Sequence, residues 1–299
     1  MRTAFPMNSL YAQSVSRALL PILAETPLPL SCLSRHEQAC NFQTPGGALI
    51  ALVTSRHGNG PFHIVLPCAL PPLLTRDNHF QAQWQAGTLA IGPLQINLEH
   101  ANVWTPDLPA LQPLSFDALS WLHEIHTTYP SSPLYNGPAT LRVRAQQGIA
   151  ALQSGFTQSA EEQICRGVLA LAGLGPGLTP AGDDFLVGFL AALHACRLQI
   201  AEEQMIFCQR IAQTAVNQTT TLSAQWLQSA GEGHFGEAWH QLITALNSNV
   251  NRAITTAAHR LLTTGATSGV DAMSGFLFGI DLVEDRRQED RRQKIEDRR

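Results

Sequence analysis

The stretch most able to do chemistry reads GLGPGLTPAGDDFLVGFL over residues 173–190. Gly173, Gly175 and Gly177 make a backbone that can turn sharply and be approached closely. Thr179 is a good helix N-cap and Pro180 suits a first helical position. Phe185, Leu186, Phe189, Leu190 and Leu193 then give a helix with a wide apolar face. A glycine-rich loop entering a helix N-terminus presents unpaired N–H groups and the positive end of the helix dipole. The amides of Gly175, Gly177 and Leu178, with the Thr179 hydroxyl, are therefore expected to bind phosphate or carboxylate oxygens. Asp183 and Asp184 sit in the same first turn. They would repel a bare anion unless they face away from it or hold a cation such as Mg²⁺.

A second copy of the pattern lies 87 residues on. Gly182-x-Asp184-x₃-Gly188-Phe189-Leu190 recurs as Gly269-x-Asp271-x₃-Gly275-Phe276-Leu277, preceded by Thr267 and Ser268. Glycine six residues from glycine falls near one helix face, so two such helices can cross closely and bring Asp184 and Asp271 together. Two carboxylates so placed could share Mg²⁺, orient or deprotonate a substrate amide, or only cap helices. Thr219, Thr220, Thr221 and Ser223 form a hydroxyl cluster able to reach phosphate oxygens or to serve as caps. His123 and His126 lie three apart on an expected helix but lack an evident third metal ligand. Arg142 and Arg144 read as solvated, and Cys165 and Cys196 as core thiols.

These residues need elements to hold them. Ser159 followed by Glu162 is a capping-box pattern ahead of Ile164, Val168 and Leu171, predicting a helix that stops at Gly173. Further helices are expected across 116–126, 180–197, 203–217, 236–246, 249–263 and 268–282. The chain before about residue 110 is dense in proline and reads as strands. Residues 48–54 and 62–66 around SRHGNGP predict one hairpin, and 88–91 and 94–98 around Gly92-Pro93 another. Strands first and helices after argue for α+β: an N-terminal antiparallel sheet or small barrel over 1–130, then a helical domain with the repeated glycine-helix motif over 131–282. The boundary is placed in YPSSPLYNGP, residues 129–138. Residues 283–299 carry EDRR three times, with only Val283 and Ile295 to bury, and read as a disordered or frayed charged tail.

Composition removes several classes of function. The only lysine of the 299 residues is Lys294, inside that tail. The body therefore lacks the lysine of a Walker loop, a pyridoxal phosphate link or a biotin arm, so neither cofactor is expected. A net charge of −4 without a basic stripe argues against nucleic acid. The apolar stretch from Leu19 to Leu30 is broken by Pro21, Glu25, Pro27 and Pro29, and no membrane span is expected. The six cysteines form no C-x-x-C pair and read as free thiols, consistent with a cytoplasmic protein. Outside the tail, charge is sparse: the last 17 residues hold 6 of the 23 acidic and 7 of the 19 basic side chains. A surface so poor in charge suggests an interface with a partner subunit or a second copy.

GLGPGLTPAGDD together with TSGVDAMSGFLFG resembles a bacterial protein family of unknown function, once labelled carboxylases, that includes AllH, a subunit associated with oxamate carbamoyltransferase in allantoin breakdown. The resemblance is strong over about 140–282. It implies carbamoyl transfer between carbamoyl phosphate and a small carboxylate or amide, within purine nitrogen catabolism. It supplies no catalytic residue. From residue chemistry, Asp184, Asp271 and Asp183 are the catalytic candidates. Gly175, Gly177, Leu178, Thr179, Thr221, Ser223, Thr267 and Ser268 are the candidates for binding a small anionic metabolite. The alternative is a non-catalytic structural or ligand-sensing subunit of a larger complex.

Overall fold

The structure, a computed structural model, describes residues 9–75, 81–113, 115–130, 132–196 and 201–296. It is α+β and forms two compact units, 1–107 and 108–299. The proline-rich stretch 129–138 lies inside the second unit.

The first unit holds strands β1 (Ser9–Tyr11), β2 (Ser14–Ser16), β3 (Leu28–Arg35), β4 (Ala39–Gln43), β5 (Leu49–Thr54), β6 (His63–Leu66), β7 (Ala82–Gln85), β8 (Thr88–Ile91), β9 (Leu94–Asn97) and β10 (Asn102–Trp104), with short helices α1 (Leu20–Leu23) and α2 (Pro72–Thr75). They form one sheet in the order β1-β9-β8-β7-β3-β4-β5-β6-β2-β10. The expected β8–β9 hairpin is present, with Ile91 opposite Leu94 across the Gly92-Pro93 turn. The expected hairpin around SRHGNGP is not. β6 runs parallel to β5, with Ala51 opposite His63 and Thr54 opposite Leu66. The register explains why so short a connection suffices. Residues 55–62 need only return the chain by about three residues of strand, roughly 10 Å. The sheet is thus mixed rather than antiparallel, with further parallel pairs β1–β9 and β2–β10. β5 and β6 are buried along their whole length, as their unbroken apolar runs require.

The second unit is helical: α3 (Phe116–Thr127), α4 (Pro133–Asn136), α5 (Ala139–Thr157), α6 (Glu161–Leu171), α7 (Ala181–Cys196), α8 (Ala201–Val216), α9 (Thr221–Gly231), α10 (Glu237–Ser248), α11 (Asn251–Leu262) and α12 (Ser268–Glu296). α7 is buried on nearly every side and forms the centre of the core. The capping box before α6 does not form. Ala160 is the N-cap without a side-chain bond, and Ser159 adopts a left-handed φ of 52° that turns the chain between α5 and α6. At the other end of α6 the Arg144 guanidinium, expected to be solvated, donates to the carbonyls of Ala170 at 2.7 Å and Leu169 at 3.1 Å. It thereby satisfies carbonyls that the helix end leaves open.

α7 and α12 lie side by side in the same direction. Thr179 meets Ser268 at one end, and the Arg287 side chain reaches the Cys196 carbonyl at 2.9 Å at the other. The glycines make this approach possible. A Cβ on Gly188 would stand 1.7 Å from the Ala272 carbonyl oxygen, and one on Gly275 would stand 1.9 Å from that of Phe185. The two contacts are the same contact displaced by the repeat. Backbone carbonyls in helices cannot swing aside as a flexible side chain can. Gly188→Ala and Gly275→Ala should each destabilise the protein by roughly 1–3 kcal/mol through forced separation of the helices, read as a fall in denaturation midpoint with an unchanged m-value.

The charged tail is not a separate segment over its described length. α12 continues to Glu296, and residues 297–299 lie outside the described residues. Val283 is fully buried, Arg287 pairs with Glu284 at 2.6 Å, and the Arg286 guanidinium lies 5.6 Å from the centre of the Phe156 ring. A count of apolar residues misses these first turns because the surface they cover belongs to other helices. Truncation after Leu282 should therefore cost roughly 1.5–3 kcal/mol, the worth of a buried valine. Truncation after Gln288 should leave the melting temperature nearly unchanged.

Candidate functional site

The site is built where the N-terminal ends of α7 and α12 meet. α7 begins at Ala181, one residue later than the sequence suggests, and the Pro180 carbonyl accepts from the amides of Asp183 at 2.9 Å and Asp184 at 3.1 Å. In α12 the Thr267 carbonyl accepts in the same way from Val270 and Asp271. The Thr179 hydroxyl, expected to cap α7, instead bonds the Ser268 hydroxyl at 2.9 Å and joins the two helix starts. The positive ends of two helix dipoles therefore converge on one region, and three carboxylates stand in it.

Asp183 is fully buried and fully employed. It accepts from the Gly173 amide at 2.9 Å, from the Ser223 hydroxyl at 2.9 Å and from the Thr219 hydroxyl. Thr220 extends this network. Its hydroxyl caps α9 by accepting from the Ser223 amide at 3.1 Å and donates to the Leu178 carbonyl at 2.5 Å. The glycine loop is thus tied at both ends to the start of α9. Burial raises the Asp183 pKa, and the three donated bonds oppose the shift. Among the sequence candidates Ser223 belongs to this network, whereas Thr221 is exposed on the first turn of α9.

Between its tethers the loop is open. Gly175 and Gly177 have φ values of 124° and 99°, a region L side chains rarely adopt. Leu178 is exposed. Among the described residues none accepts a hydrogen bond from the amides of Gly175, Gly177, Leu178 or Thr179.

Asp184 and Asp271 differ from Asp183. Asp184 Oδ2 and both oxygens of Asp271 are buried and make no hydrogen bond. No basic side chain among the described residues pairs with either. Burial lifts the Asp184 carboxyl well above the ordinary range. The Ser268 and Thr179 hydroxyls oppose that rise, and the nearby charges of Asp271 and Asp183 add to it. Burial likewise pushes Asp271 up to about 6, opposed by the hydroxyls of Ser132 and Thr267. Unbonded carboxylate oxygens invite an N–H donor or a hard cation. Among the described residues no cluster of three or more His, Cys, Asp or Glu side chains is arranged to hold a metal. A cation here would draw on two carboxylates and neighbouring hydroxyls.

Two participants escape sequence reasoning. Ser132 is buried and caps α4 by accepting from the Leu134 amide at 3.1 Å, and its hydroxyl also favours ionised Asp271. Tyr135, on the same short helix, is exposed and has its pKa raised by burial of the phenol and then by the Asp271 charge. Ser followed by Pro is a helix-start signal, so Ser132-Pro133 could have been read as one. His123 and His126 do not converge on a metal. His123 Nε2 lies 3.3 Å from Asp281, and His126 Nε2 lies 3.1 Å from the Ser274 hydroxyl, both on α12.

The glycine loop, the three aspartates and the hydroxyls of Thr179, Thr219, Thr220, Ser223, Thr267 and Ser268 all fall within residues 171–280. Residues 171–280 match the description "Oxamate carbamoyltransferase subunit AllH", and residues 11–103 match "AllH family N-terminal domain". The chain belongs to the AllH family. No solved structure matches it. The family description ties AllH proteins to oxamate carbamoyltransferase as a subunit. No helix among the described residues is long and apolar enough to cross a membrane.

The unbonded carboxylate gives a stability prediction with a definite sign. Asp271 has a folded-state pKa above its unfolded value, so the folded protein holds the proton more tightly. Ionisation therefore destabilises the fold increasingly as pH rises from about 4 to about 6, and by a constant amount above that. The shift corresponds to a penalty on the order of 2–3 kcal/mol at neutral pH. Asp271→Asn should stabilise the protein at pH 7 and lose that advantage near pH 4. Urea midpoints of both proteins across this pH range would check it, and a variant equally destabilised at every pH would contradict it.

Proposed function

We propose that this chain binds a small, amide-bearing anion between the glycine loop and the α12 N-terminus, as the substrate-binding subunit of a carbamoyl transfer enzyme. The observation that carries the reading is the pairing of opposites in one place. Among the described residues the amides of Gly175, Gly177, Leu178 and Thr179 lack acceptors, and Asp184 Oδ2 and both oxygens of Asp271 lack hydrogen bonds. A carbamoyl or oxamate-like molecule supplies both needs at once. Its phosphate or carboxylate oxygens accept from the loop amides and the Thr179, Thr267 and Ser268 hydroxyls, and its NH₂ donates to the carboxylates.

The transfer proceeds by attack of the acceptor's amide nitrogen on the carbamoyl carbon. The new C–N bond forms, the C–O bond to phosphate breaks, and Asp184 or Asp271 takes the nitrogen's proton. A carboxyl whose pKa is raised, as that of Asp184 is and as that of Asp271 is to about 6, is better matched to that proton than an ordinary aspartate. The loop amides stabilise negative charge on the tetrahedral intermediate and on the departing phosphate. Asp183 positions the loop through Gly173 and does not touch substrate. Membership of a family described as an enzyme subunit, and the sparse charge of the body, support a partner chain that completes the enzyme.

Thermal shift or calorimetry with carbamoyl phosphate, oxamate, oxalate, phosphate and Mg²⁺ tests the proposal. Oxamate should bind more tightly than oxalate, which offers no NH₂. A ligand at 100 times its Kd should stabilise by about 2.7 kcal/mol. Asp271→Asn and Asp184→Asn should weaken oxamate while leaving phosphate nearly unaffected. Equal binding of oxamate and oxalate would remove the carboxylates from recognition. Binding of none of these compounds, alone or with the partner subunit present, would leave the ends of α7 and α12 as a purely structural junction.

A further inference from the structure

We infer that Cys32 and Cys40 form a reversible oxidation site in the first unit, a thiol pair that reacts with a small disulfide such as oxidised glutathione to give an intramolecular disulfide. The pair arises from the β3–β4 register. Cys32 stands opposite Phe42, so Cys40, two residues along β4, is its diagonal neighbour on the same face. Diagonal neighbours in a regular antiparallel pair are about 7–8 Å apart, too far for two cysteines to bridge. Here the register slips between Cys32 and Ser34, placing Ser34 opposite Asn41 and Arg35 opposite Cys40. A bulge of this kind bends the strand and increases its twist. The two Sγ atoms are 4.0 Å apart, near van der Waals contact.

The two thiols divide the chemistry between them. Cys32 is partly exposed and can be reached by a small molecule, whereas Cys40 is fully buried. The Cys32 thiolate attacks one sulfur of the small disulfide, forming a mixed disulfide and releasing one glutathione thiolate. Cys40 then attacks the Cys32 sulfur. The Cys32–Cys40 bond forms, the bond to glutathione breaks, and the Cys40 proton leaves with the second glutathione. The protein dithiol loses two electrons, and the small disulfide gains them. Burial holds the Cys40 thiol protonated, and the charge of Arg35 directly across the strand pair opposes that effect. Cys196 and Cys208 are buried thiols pushed up to about 12, and Cys68 is exposed. Cys68 therefore serves as an internal control for a thiol that can be capped.

The test uses the full chain, exposed to oxidised glutathione, quenched with acid, alkylated and mapped by peptide mass spectrometry. The expected product is a peptide joining Cys32 to Cys40, lighter by two hydrogens and restored by dithiothreitol. Cys40→Ser should stop the reaction with glutathione retained on Cys32, and Cys32→Ser should leave Cys40 reduced. Wild-type protein carrying a persistent glutathione on Cys32, with Cys40 still free, would overturn the inference. So would modification of Cys68 while both strand cysteines stay reduced. The wild-type map alone decides the matter if either serine variant fails to fold.

Discussion

The second unit depends on two places where one helix touches the backbone of another with no side chain between. Gly188 against the Ala272 carbonyl and Gly275 against the Phe185 carbonyl set how closely α7 and α12 approach. Everything at the candidate site follows from that approach. The parallel direction brings both N-termini to one end, and the short separation lets Thr179 and Ser268 bond each other. The same approach buries the carboxylates of the first turns. A larger residue at either glycine would move the helices apart and with them the groups at their N-terminal ends.

The electrostatics at that end are a balance rather than a simple anion trap. Two helix dipoles and a row of open amides favour negative charge, while three aspartates already supply it. Asp183 resolves its own part through three donated hydrogen bonds. Asp184 and Asp271 do not, and their raised pKa values are the measure of that unfinished state. Natural proteins leave buried carboxylate oxygens unbonded rarely, because the cost of desolvating them is high. Such groups persist here beside a loop with open amides, the juxtaposition on which the proposed ligand site rests.

Much of this is legible in the amino-acid sequence. The repeat of G-x-D-x₃-G predicts the crossing because glycine spacing is a direct statement about how near two helices can come. The glycine loop is likewise readable, since alternate glycines allow positive φ. The direction of β6 is not, because a turn-rich segment looks the same whether it reverses a strand or carries the chain back beside it. Nor is the role of Asp183 against Asp184. Adjacent residues on a helix point about 100° apart, and only the positions of α9 and α12 decide which carboxylate meets donors. Ser132 and Tyr135 are hidden by their own neighbourhood, where proline, serine and glycine suggest a linker in place of a short capped helix. Arg144 is hidden for another reason, since its partners are carbonyls at a helix end distant in sequence.

The repeat is imperfect at one position that matters. Counting 87 residues on from Asp183 leads to Val270, not to a second aspartate. The start of α7 therefore has an acid to anchor its loop, while the start of α12 has a hydrocarbon in the same place, buried in the core. Two helices related by near-symmetry would present identical ends, and a molecule lying between them could be turned round without changing its surroundings. Replacing one aspartate by valine abolishes that equivalence. Both ends carry a carboxylate with unbonded oxygen, Asp184 on one and Asp271 on the other, but only the α7 end has the loop tethered by a third. A molecule lying between them would meet different surroundings at its two ends, which is the minimum any site needs to hold a reactant in only one orientation.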